Sequence, residues 1–83
     1  MSSAAQWREI KYRQTFEEEL RGLRRRKEAN PSLSCDDIKG TLKHLYIMDG
    51  ADQGGRGEVQ DLTLAATIAA YELFLEEWGK TDN

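Results

Sequence analysis

Apolar residues recur along this chain at spacings of three and four and nowhere alternate with a period of two, so helices are predicted and strands are not. Tyr12, Phe16, Leu20 and Leu23 follow one another at steps of four, four and three. Trp7 and Ile10 extend that stripe with some drift. The other residues of the segment are mostly charged, as in a surface helix with one buried face. A first long helix is therefore predicted over about Ala5 to Ala29. Gly22 lies inside it at a cost of roughly 1 kcal/mol. Asn30-Pro31-Ser32 ends it, because Pro lacks an N–H and disfavours the α conformation in the residue before it.

A second, shorter helix is predicted over about Cys35 to Met48. Ser34 is its expected N-cap, and Asp36 and Asp37 stand in a first turn where acids oppose the positive end of the helix dipole. Ile38, Leu42, Leu45 and Tyr46 make its stripe, which Ile47 or Met48 widens. Gly50 is the expected stop. Asp49 to Gly57 comes next, with four of the chain's seven glycines in nine residues, and is predicted to be a loop.

The third helix, over about Glu58 to Trp78, carries the widest apolar surface. Val59, Leu62, Ala66, Ala69, Ala70 and Leu73 lie on one side. Leu64, Ile68, Tyr71, Leu75 and Trp78 lie on an adjoining one. A helix apolar over so wide an arc belongs between neighbours. Its alanines permit close approach, and Gly79 is the expected stop. The expected fold class is all-α: a three-helix bundle, a long N-terminal helix plus a helical hairpin, forming one domain over residues 1–83.

Composition narrows the picture. A chain of 83 residues hides only about 60–65% of the surface it could expose, so its core is small. One Cys and one His supply neither an internal disulfide nor a zinc site, and no cofactor or metal is expected. No run of about 18 apolar residues offers a membrane span. With no basic start followed by an apolar stretch, no secretory leader is read at the N-terminus, and a cytoplasmic location is expected.

Charge is unevenly distributed. The whole chain carries 12 cations and 15 acids. The first helix is net basic, with Arg24-Arg25-Arg26-Lys27 in its last turns, and the remainder is net acidic. In an up-down-up bundle the first and third helices run parallel, which sets the basic run near Glu72, Glu76 and Glu77. Four consecutive helical residues point about 100° apart, so the run is not one stripe. Arg21, Arg24, Arg25 and Lys27, with Arg56 from the loop, are the candidate contacts for nucleic acid or another acidic ligand.

Candidate chemistry is sparse. The loop begins as an EF-hand would, with Asp49 and with Gly54 at the sixth position. Its third position is Ala51, however, and its twelfth is Gln60 where a bidentate Glu is needed. Gly54-Gly55-Arg56-Gly57 precedes a helix N-terminus, but Glu58 and Asp61 already occupy that positive end. Cys35 fits the apolar stripe of its helix. His44 lies nine residues on, about 13 Å by helix rise, and off the stripe. No catalytic set assembles, so no enzyme is expected. Helix-turn-helix, EF-hand, acyl-carrier, zinc-ribbon and heptad-zipper patterns all fail to fit.

Leu73-Phe74-Leu75 spans about 200° of its helix, more than a small bundle covers. The expectation is a non-enzymatic interaction module, an adaptor, regulator or inhibitor. It would present Leu64, Tyr71, Leu73, Phe74 and Trp78 to another protein or to a second copy as a homodimer. Binding of an acidic ligand through the basic end of the first helix is the alternative.

Overall fold

All three predicted helices are present in the computed structural model, which describes residues 3–51 and 57–81. They are α1 (Ser3–Ala29), α2 (Cys35–Ala51) and α3 (Glu58–Thr81), and no strand occurs among the described residues. α2 and α3 run through their expected glycine stops. A Cβ built on Gly50 or Gly79 meets nothing within 4 Å. Glycine in an exposed turn costs helix stability without forcing an end.

α3 lies in the middle. It packs along both α1 and α2, while among the described residues no Cα of α1 comes within 8 Å of α2. Arg8 pairs with Glu58 at one end and Arg24 with Glu77 at the other. Those two pairs fix α1 and α3 as parallel, as expected, and place each α1 residue beside the α3 residue 50 to 53 positions later. The Cα radius of gyration is 14.4 Å with extents of 45 × 29 × 20 Å. A compact chain of this length would measure about 12 Å. The excess follows from the length of α1, 27 residues or about 40 Å, and the arrangement fits the expected three-helix bundle with α3 at its centre.

The α1–α2 connection explains why one end is closed. The Asn30 N–H bonds the Arg26 carbonyl, and the Asn30 side-chain oxygen accepts from both the N–H and the hydroxyl of Ser32. Ser34 and Asp37 form a reciprocal cap. The Ser34 hydroxyl accepts from the Asp37 N–H at 3.2 Å, and the Asp37 carboxylate accepts from the Ser34 N–H at 2.9 Å. Those bonds hold the Asp37 carboxyl below its ordinary pKa. Leu33, just before the cap, and Ile38, four residues after it, are both buried in one cluster, the arrangement of a hydrophobic staple.

That cluster is the core. It joins Leu20 and Leu23 of α1, Leu33 of the connection, Ile38 of α2, and Ala70, Phe74 and Trp78 of α3. Phe74 meets Trp78 edge to face, with ring centroids 5.5 Å apart. Every member lies toward the end where α1 finishes, α2 begins and α3 finishes.

Candidate interaction surface

The residues expected to form an exposed apolar face on α3 do not form one. Phe74 is only 3% exposed and Trp78 only 8%, and Leu64 is buried as well. Tyr71 and Leu73 are half-buried and pack against the core. The buried row of α3 is Ala66, Ala70, Phe74 and Trp78, at steps of four, between the two sides read from the sequence. Ala66 and Ala70 are fully buried, so a neighbour approaches closely there, and Phe74 and Trp78 are covered further along the same row. Burial also raises the pKa of the Tyr71 phenol.

The basic cluster is divided. Arg24 grips Glu77 through two nitrogens at 3.2 and 2.5 Å, and that hydrogen bonding raises the guanidinium pKa further. Lys27 sits 4.3 Å above the Trp78 ring, a cation–π contact. Arg21 and Arg25 are exposed on the outer side of α1, Arg21 beside Glu17 and Glu18. Arg56, Gly54 and Gly55 lie outside the described residues. Cys35 is half-buried against the core and His44 is exposed. Among the described residues no three His, Cys, Asp or Glu side chains converge to hold a metal, and no helix is long and apolar enough to cross a membrane.

Apolar surface emerges at the opposite end. The exposed large hydrophobics are Trp7, Ile10, Tyr12, Tyr46, Ile47, Met48 and Val59. They belong to the start of α1, the finish of α2 and the start of α3, which lie together because α2 runs against the other two. Ile10 is 54% exposed and Ile47 58%. Trp7 and Ile10 stand about 180° and 120° around α1 from Phe16, so the α1 stripe does not reach them and they face outward. Ile47 points away from α2's own buried face, which carries Ile38 and Leu42. Tyr46 bends along the flank and donates its hydroxyl to Glu72, which raises its phenol pKa.

Two depressions open at this end. One, of about 410 Å³, is lined by Leu45 and Met48 of α2 and by Gln60, Thr63, Leu64 and Thr67 of α3. The hydroxyls on its floor are already engaged: Thr63 donates to the Gln60 carbonyl at 3.1 Å and Thr67 to the Thr63 carbonyl at 2.8 Å. The other, of about 280 Å³, is lined by Glu9, Tyr12, Arg13 and Phe16 of α1. The register set by the two ion pairs puts α1 residues 9–16 beside the same stretch of α3. The first depression is a groove between α2 and α3, and the second lies on α1 alone; they share no lining residue.

The charges at this end of the molecule are sorted by segment. Arg8 and Glu58 pair with each other across α1 and α3; of the rest, Lys11 and Arg13 outnumber Glu9 on α1, while Asp49 and Asp61 outnumber Lys43 on α2 and α3. Comparison with family models, with curated proteins and with solved structures finds no match for this chain.

Proposed function

We propose that the chain is a non-enzymatic protein-interaction module that self-associates as a homodimer by burying the apolar residues of its open end. One observation carries the reading: among the described residues, all seven exposed large hydrophobics lie at that end and none at the other. At ~200 Å² for a fully exposed large side chain, they present on the order of 600 Å² per chain. A standard interface takes ~800 Å² from each partner. A second copy is the occupant that this surface favours, because basic and acidic residues sit on separate segments of the same end. A two-fold contact needs both on one patch, since each residue meets a different one across the axis. An adaptor or regulator acting in the cytoplasm, where a single thiol such as Cys35 stays reduced, fits the reading.

The acidic-ligand alternative draws little from the structure. Arg24 and Lys27 are engaged with Glu77 and Trp78, which leaves Arg21 and Arg25 as the outward pair.

Light scattering on a sizing column tests the proposal. The expected mass is twice the 9.5 kDa of one chain. Ile47→Asp with Met48→Asp should return it to one chain while the helical circular dichroism stays unchanged. A monomeric parent at about 100 µM, a concentration that detects any contact tighter than roughly −5.5 kcal/mol, would reject the reading.

A further inference from the structure

The open end holds both halves of a helix-in-groove contact. The receiving half is the groove, floored by Thr63, Leu64 and Thr67 and walled on the α2 side by Leu45 and Met48. The entering half is the outer face of α1. Trp7 and Ile10 stand three residues apart on it, the spacing with which an amphipathic helix anchors itself in an apolar groove. Neither residue serves the core of its own chain. The helix that carries them bears Lys11 and Arg13, and Asp49 and Asp61 each stand one residue from the groove lining, next to Met48 and Gln60.

From this we infer that the groove receives the N-terminal half of α1 from a second copy, with Trp7 and Ile10 entering first. The inference rests on the self-association proposed above and adds its geometry. Two-fold symmetry makes the exchange mutual, so each chain gives its α1 and accepts the other's. The two α1 helices then run antiparallel through the middle of the dimer. Each lies between its own α3 and the partner's groove, as the fourth helix that the groove lacks. Lys11 and Arg13 of either copy come beside Asp49 and Asp61 of the other. A contact built this way weakens with added salt without vanishing, because apolar burial remains.

Charge reversal tests the geometry. One chain carries Lys11→Glu with Arg13→Glu, and a second carries Asp49→Lys with Asp61→Lys. Each alone should dimerise at least about tenfold more weakly than the parent in sedimentation equilibrium, since like charges now meet across the axis. Mixed one to one, they should recover the parent affinity as a heterodimer. Should a reversed chain lose its helical circular dichroism, a second pair decides. Ile10→Cys and Met48→Cys chains, each also carrying Cys35→Ser, are mixed under mild oxidation. A disulfide between the two different chains is the expected result. Reversed chains that dimerise like the parent, or no mixed disulfide between chains that still dimerise, would overturn the docking geometry and leave self-association standing. A parent that is monomeric would overturn both.

Discussion

Where α1 ends and α2 begins, three helices and a capped loop converge on Phe74 and Trp78; where α1 begins and α2 ends, the same three helices leave Trp7, Ile47 and Met48 in water. The difference originates in α3. Its C-terminal half carries Leu73, Phe74, Leu75 and Trp78, bulky enough to fill the space between two neighbours. Nearer its N-terminus, Leu62, Leu64 and Ile68 lie off the buried row, and the row and its neighbours offer Thr63, Ala66 and Thr67. Those small side chains let a helix come close but cannot fill a gap between helices that stand apart. The large residues on the facing elements then turn outward or line a groove. A bundle whose central helix has small residues at one end of its buried row and large ones at the other is thus closed at the bulky end and open at the small one.

Truncating one residue at each end should separate the two regions most clearly. Phe74→Ala removes a ring from the closed core and should cost about 3–5 kcal/mol, a large part of what a domain this small has. Met48→Ala at the open end should change the stability of the single chain by less than about 0.5 kcal/mol. Urea denaturation at a concentration that keeps the chain monomeric compares them, and equal losses would dissolve the distinction. Next in size is the cap that tightens the closed end. Ser34→Ala should cost about 1 kcal/mol, visible as a lower urea midpoint with an unchanged slope.

A smaller effect belongs to the lid over the core. Lys27→Gln keeps the aliphatic stem but removes the charge above Trp78, and should cost about 0.5–1 kcal/mol. A shift in tryptophan fluorescence should accompany it. Asp37 adds a dependence on pH at the same end. Its pKa is lower folded than unfolded, so between those two values the unfolded chain binds more protons and stability rises with pH. The contribution is complete above the unfolded value of about 4 and is lost as the pH falls through the folded one. Asp37→Asn should flatten that acid limb of a urea-midpoint profile, and a variant whose limb matches the parent's would assign the slope to other carboxylates.

The helices, their order and the central place of α3 were legible in the spacing of apolar residues. So was the approach of the basic run to the α3 acids, since it follows from parallel helices and appears as the pair between Arg24 and Glu77. The exposed apolar surface was not. Three consecutive apolar residues cannot all face one neighbour, and that argument applies equally to Leu73-Phe74-Leu75 and to Tyr46-Ile47-Met48. The first triplet lies where α1, the loop and α2 meet α3, so it is covered. The second lies on α2, which among the described residues packs along α3 and not along α1. Which triplet finds neighbours depends on how helices splay, and spacing within one helix carries no measure of that. Trp7 and Ile10 depart from the α1 stripe for a related reason. Their drift is small over one turn, yet it totals about half a revolution by Phe16. Leu33 is hard to see in the sequence because a single leucine in a short polar connection has no periodicity to announce it. Its place just ahead of the Ser34 cap is the available signal.

Among the described residues α1 packs along α3 and not along α2, and its register joins residues some fifty positions apart. During synthesis, α1 and then α2 emerge with nothing between them to pack on. A highly charged helix standing alone in water is marginal, because nucleation is costly and little apolar surface is buried in return. The tertiary fold therefore waits for α3, and within α3 for its final turns, where Phe74 and Trp78 lie. A stop a few residues before Trp78 would remove little length and most of the reason for the other two helices to meet it.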